Sequence, residues 1–430
     1  MALVIGQAQA QDFFEQAPIR YSESKPTDPI SILQKSIDAD QVELVHAKEH
    51  GYLRGLLKAL KISPKSQLLV YSKTSLQLHR ISPYTPRAIY FNDDVYVGFI
   101  PGSDRLEISS ADPALGGVFY TLSQDKQKNP RFVRDQGNCL ACHANSRTQD
   151  VPGHLIRSVY TSANGQPHYG MGTHLTTQES DFQERFGGWY ITGTHGSIRH
   201  LGNLIVKQNG DKIERDAGAN IVDLSKKFRT DRYLTPHSDL VAMMVLTHQA
   251  EMHNLITLVN FQTRQAIHQG KVMNKALDRP EDFVSESTIN RVNSAVEKLL
   301  RYLLFADEKK LDARITGTSG FREYFESLGP FDKQGRSLRQ LDLETRTFKY
   351  PCSYLIYSKS FQRLPVLAKS RIISRINEIL AGKDQSGDFD SLTAKDRQAI
   401  REILRDTLVP KPKVTKPKST NPKTPQPKSQ

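Results

Sequence analysis

Cys139-Leu140-Ala141-Cys142-His143 is the segment of this 430-residue chain whose residue types and spacing specify a particular chemistry. Two thiols three residues apart lie about one helical turn from each other on one face, and an imidazole follows directly. Such a pair can add across the two vinyl groups of one porphyrin, while the histidine beneath the iron supplies the proximal nitrogen. The segment is therefore read as the attachment point of one covalent haem c, with Cys139 and Cys142 as the thioether residues and His143 as the proximal iron ligand. Structural zinc would want a second ligand pair, and the remaining cysteine, Cys352, is 210 residues away. A dithiol oxidoreductase places C-x-x-C at a strand-to-helix junction, and Arg131–Asp135 is too short and charged to argue for one. An inert buried pair is the remaining alternative. Cys352, in Tyr350-Pro351-Cys352-Ser353, reads as a small buried apolar residue.

The sixth iron position decides what such a haem can do: a closed one suits electron transfer, an open one permits small-molecule chemistry. The candidates are His154, Met171, His174, His195 and His200. His195 is favoured, because Gly193-Thr194-His195-Gly196 puts it on a glycine-flanked loop able to approach a flat macrocycle; His200 is next, with Met171 and His174 as further alternatives. His248 and Met252 share a helix face and could reach haem or copper, though an interior polar network explains them better; the run is not H-E-x-x-H. Arg157 and Arg199 are candidates for pairing with haem propionates. Trp189, Tyr190, Tyr160, Tyr169 and Phe186 read as core or pocket lining.

The elements that must position these residues fall into three stretches. Apolar periodicity over 31–60 predicts helix. Short strands follow at 68–71, 88–91, 95–100, 106–108 and 118–122, with Asn92-Asp93-Asp94 and Pro101-Gly102 as turns. Residues 144–204 are rich in Gly, His, Thr and Tyr with little periodicity, as expected of a segment that wraps a cofactor. Beyond Ser238, a plausible N-cap, the chain turns helical, with further helices at 287–305, 371–381 and 393–407 and an imperfect capping box at Thr393 and Asp396. The fold class is α+β: a small antiparallel β-rich segment, a loop-rich haem-binding region and a helical C-terminal half. The organisation expected is a haem-binding domain over 31–270, a helical region packed on it over 271–408, and a disordered Lys/Pro tail over 409–430.

Six lysines in that tail supply nearly half of the formal net charge of +13. The remainder is mildly basic and is read as a solvated surface or a docking face for an acidic redox partner, not as a nucleic-acid footprint. No apolar run approaches the roughly 18–20 residues needed to span a bilayer, so no transmembrane segment is expected. Residues 1–10, Met1-Ala2-Leu3-Val4-Ile5-Gly6 followed by Ala8-Gln9-Ala10, resemble the end of a signal peptide, which places the chain in the periplasm or otherwise outside the cytoplasm.

The stretches Thr85–Asp94, Cys139–His143, Val151–His154 and Gly187–Gly196 together resemble the cytochrome c domain-containing exported proteins of environmental bacteria, over roughly residues 30–380. The resemblance implies haem binding and electron transfer with a redox partner protein; it supplies no substrate. It also raises Pro152, nine residues after His143, as the residue whose carbonyl would orient the proximal imidazole. The β-rich lead-in and long helical half depart from the small all-helical cytochrome pattern. Three functions follow in order: a mono-haem electron carrier; a haem enzyme of peroxidase or nitrogen-oxide reductase type with a small-molecule ligand at iron; and a haem-based sensor.

Overall fold

The computed structural model describes residues 13–135, 137–207 and 212–408. The leader expected at 1–10 and the tail expected at 409–430 lie outside the described residues. The architecture is α+β. Its centre is a seven-stranded antiparallel sheet in the order β6-β5-β4-β3-β2-β1-β9. The strands are β1 (Leu68–Val70), β2 (Arg87–Phe91), β3 (Val95–Phe99), β4 (Arg105–Asp112), β5 (Gly116–Ser123), β6 (Phe132–Arg134) and β9 (Trp189–Tyr190). β7 (Arg157–Val159) and β8 (Thr173–Leu175) form a separate two-stranded limb.

The hairpins form where polar side chains substitute for ladder partners. Asn92 Oδ1 accepts from the amides of Asp94 (3.1 Å) and Val95 (2.9 Å) between β2 and β3. Asp112 Oδ1 does the same for Ala114 and Leu115 between β4 and β5, and Gly116 follows in the left-handed region. Strand β6 lies in the stretch read as too short and charged to argue for a dithiol oxidoreductase's strand-to-helix junction; it pairs antiparallel with β5 through Phe132, Val133 and Arg134. Arg134 is fixed from outside the sheet, donating to the carbonyls of Ser24 and Tyr21.

One face of the sheet carries Leu106, Ile108, Val118, Tyr120 and Leu122, all buried on the side of α1 (Pro29–Asp38). Asp28 caps α1 and accepts a 2.6 Å bond from the Tyr120 hydroxyl. The helix expected over 31–60 is two: α1 and α2 (Leu53–Ala59), with irregular chain between them and Val45 exposed.

The opposite face meets α4 (Leu240–Ala276), whose first six turns are buried almost all round, as befits a helix between two layers. Its cap is Asp239, which accepts from the amides of Val241 and Ala242. Ser238 instead ties strands together, accepting from Leu69 N and donating to Tyr190 O. The domain boundary expected at 270 falls inside this continuous helix. α5 (Glu286–Leu303) packs on α4, α8 (Val366–Leu380) on α5, and α9 (Ala394–Thr407) on α8. The Thr393–Asp396 box is fully reciprocal. Shorter helices are α3 (Leu140–His143), α6 (Phe321–Ser327) and α7 (Lys359–Gln362). Among the described residues no helix is long and apolar enough to cross a membrane.

Candidate functional site

Asp135, just beyond β6, starts the site. Its Oδ2 accepts from the amides of Gly137 (3.0 Å) and Cys139 (2.8 Å), and its Oδ1 from Asn138 Nδ2 (3.0 Å). These bonds turn the chain into the single helical turn of α3, which Asn145 closes by donating to the Cys142 carbonyl at 2.9 Å. Both thiols are free: Cys139 is half-buried and Cys142 exposed. Burial, then the neighbouring Asp135 carboxylate, push the Cys139 thiol up to about 12, so it stays an S–H group at neutral pH.

His143 is held by a two-way exchange with Gly153. Its Nδ1–H donates to the Gly153 carbonyl at 3.0 Å, and Gly153 N donates to the His143 carbonyl at 2.8 Å. A carbonyl facing Nδ1 requires the proton there, which leaves the lone pair on Nε2. Burial lowers the imidazole pKa to about 4, so the ring is neutral and a competent ligand. The Phe119 ring lies 4.9 Å from it, centroid to centroid.

Helix α4 fixes Gly153. A Cβ at that position would sit 2.2 Å from Asn254 Oδ1. Asn254 clamps the next residue from both sides, its Oδ1 accepting from His154 N (2.8 Å) and its Nδ2 donating to His154 O (2.7 Å). Nδ2 also donates to Glu251, whose other oxygen accepts from Gln149. Burial raises the Glu251 carboxyl to about 7. Pro152 does not orient the imidazole: its carbonyl accepts from Gly117 N at 2.7 Å, and the carbonyl on His143 is one residue further along.

The sheet face beside the motif is covered at one end and half-open at the other. Ser109 pairs with Phe119 and Tyr96, and this end lies under His154 and α4. Next to it the cross-strand row Ile89, Gly98, Glu107, Thr121 and Val133 stays partly exposed apart from the bare Gly98, with Val133 62% exposed. Arg87 and Glu107 form a 2.6 Å ion pair here. At the far edge of the same face Val70 and Trp189 follow Arg87 in register, and Trp189 Nε1 donates to the Arg157 carbonyl in β7. The β7–β8 limb is therefore tied to the edge of this face through Trp189.

The distal candidates separate on this geometry. His195, the favoured one, is committed elsewhere: Nδ1 donates to Ile198 O (2.7 Å) and Nε2 accepts from Asn220 N (2.9 Å), so neither nitrogen is free as the ring is held. His200 packs against it at 4.7 Å; its Nδ1 accepts from Gly202 N and burial lowers its pKa to about 3. This pair belongs to the loop around Asn220 and the bridge from Thr194 to Thr316. Met171, partly exposed, and His174, 3.4 Å from Glu184 through Nδ1, are carried on the β7–β8 limb. His154 lies beside Phe119, bonded through Nδ1 to Ser109 and packed at a 42° tilt with its ring centre 4.5 Å from that of Tyr96, with Nε2 buried and unpartnered. His248 is a core residue, bonded to Gln178 and Ser353 between the Tyr302 and Phe305 rings, and Met252 is fully buried. Arg199 is spent on Asp216 and two local carbonyls.

Among the described residues no group of three or more His, Cys, Asp or Glu is placed to hold a bare metal ion. A porphyrin supplies four iron ligands itself and asks one or two of the protein, which is what α3 offers. A cleft of about 1230 Å³ lies in the helical half, lined by Phe305, Arg336, Arg346, Asp396 and Glu402 among others, and contains no residue of the motif. No family model, curated protein or solved structure matches the chain; the cytochrome resemblance rests on the motif stretches alone.

Proposed function

We propose that this chain is a mono-haem c-type cytochrome that carries electrons in the periplasm or another exported compartment. The carrying observation is the state of the C-x-x-C-H turn. Two free thiols share one turn, and the histidine that follows is neutral and oriented through Nδ1, with its Nε2 lone pair uncommitted among the described residues. When bound, haem c supplies a one-electron iron couple. The chain's own part is to anchor and orient. Cys139 and Cys142 would hold the macrocycle by thioether bonds, and His143 would ligate through Nε2. The Gly153 carbonyl strengthens His143 as a donor, and Asn254 keeps that carbonyl in place. The half-open face from Ile89 to Val133 leaves one side of the site near solvent, which suits exchange with a docked redox partner protein.

The test is a denaturing gel stained for haem, with an intact mass, on chain matured in a host that assembles c-type cytochromes. Carbon monoxide then separates functions. A reduced spectrum unmoved by CO supports the electron carrier, whereas rapid CO binding favours a haem enzyme or sensor with an open sixth position.

A further inference from the structure

Arg87 on the half-open sheet face, and Arg157 on the limb whose backbone Trp189 ties to the edge of that face, each leave part of their hydrogen-bonding capacity unused. Arg87 lies across the bare Cα of Gly98, where a Cβ would come 3.5 Å from its Cδ. One end of its guanidinium is occupied: Nη1 donates to Glu107 Oε2 at 2.6 Å, while Gln77 donates to the other oxygen of that carboxylate. Its Nε–H is buried and without an acceptor. Arg157 begins β7, on the limb that Trp189 ties to the same face. It donates from Nη2 to Thr173 at 3.1 Å and lies over the Tyr169 ring at 5.4 Å, and its Nε–H is again buried and unpartnered. A buried guanidinium N–H without an acceptor is uncommon and costly, because the desolvated donor has lost its water and gained nothing.

The two arginines have a common feature: each has an unused N–H beside a fork that matches a carboxylate bidentately. Arg87 is tied to Glu107, two residues along β4 from Ser109, whose cross-strand partner Phe119 packs on the His143 ring. Glu107 alone neutralises only one of the two cations. The face thus has unmet demand for anionic oxygen, next to a turn read as holding a macrocycle that bears two propionates.

Resting on the cytochrome reading above, we infer that Arg87 and Arg157 would bind the two haem propionates, each through the guanidinium edge whose Nε–H has no acceptor. Glu107 and Gln77 then position Arg87, and Thr173 positions Arg157. Both cations stabilise the propionates as anions and disfavour the extra positive charge of oxidised iron, so they hold the reduction potential up.

The experiment uses the full-length, haem-loaded protein and its R87Q, R157Q and R87Q/R157Q variants. Intact mass reads covalent attachment, an equilibrium redox titration reads the midpoint potential, and resonance Raman reads the propionate bending modes. Expected are full attachment in every folded variant, a lower midpoint in each single variant, a larger drop in the double, and shifted propionate bands. R87K, which keeps the charge and loses the fork, restores the midpoint more than the Raman bands. Should R87Q misfold because Glu107 is stranded, R87Q/E107Q removes both charges and R157Q reads the second arginine independently. A double variant with haem attached and both midpoint and bands unchanged overturns the assignment and leaves the cytochrome reading intact. A wild-type chain without covalent haem overturns both.

Discussion

His143 and His195 show how little residue type alone decides. Both are loop-proximal histidines whose Nδ1 donates to a carbonyl, Gly153 O in one case and Ile198 O in the other. The difference is the second nitrogen. Asn220 N occupies it in His195, and no hydrogen bond from the described residues occupies it in His143. The glycine-rich surroundings that made His195 attractive belong to a tight local knot, a fact carried by Asn220, 25 residues away and silent in the sequence. H195A should therefore cost about 1–3 kcal/mol in denaturant unfolding through its stranded partners, and leave the optical spectrum of the haem-loaded protein unchanged; an altered spectrum would restore His195 as a ligand. The Gly153 contact gives a second outcome. G153A should destabilise by about 1–3 kcal/mol through overpacking against Asn254, and the penalty should shrink in an N254A background, where the clashing oxygen is gone. Additive costs in the double-mutant cycle would place the strain elsewhere.

At the scale of elements, the strands and the main helices were legible because each has a strong local pattern. Val95–Phe99 and Gly116–Ser123 are dense in β-branched and aromatic residues, and the α5 apolar stripe repeats cleanly. Three features were not legible, each for a nonlocal reason. β6 and β9 are too short to have a pattern and exist because β5 and β1 offer free edges. The break between α1 and α2 is invisible to periodicity. The helix face His248–Asn254 reads as a metal-binding possibility until its partners are seen. Asn254 then proves to be the link between the helical half and the site, holding His154 and, through it, Gly153. N254A should cost about 2–4 kcal/mol, since it orphans the buried His154 amide and carbonyl. It should also shift the reduction potential of the loaded protein through a loosened His143; lost stability with an unmoved potential would make Asn254 structural only.

At the scale of the molecule, α4 makes one unit of what the composition divides into a β-rich half and a helical half. The Glu251 carboxyl, buried in that seam, gives it a pH signature. Its pKa is raised by burial from the ordinary carboxylate value to about 7, so its contribution to stability is complete below about pH 4.5 and is lost as the pH rises through 7. E251Q should therefore gain on the wild type between pH 4.5 and 8, by roughly 3 kcal/mol if the full shift is realised, in unfolding free energies measured at both pH values. An equal difference at the two would mean that Glu251 titrates normally.

The central claim is a permanent bond between two sulfur atoms and one porphyrin, so the decisive measurement is the intact mass of the denatured chain, matured in a cytochrome-assembling host. The wild type is expected to gain the mass of one haem, and the C139S/C142S double variant none irreversibly joined. An unmodified wild-type mass, or pigment still covalently held after both thiols are removed, would contradict it.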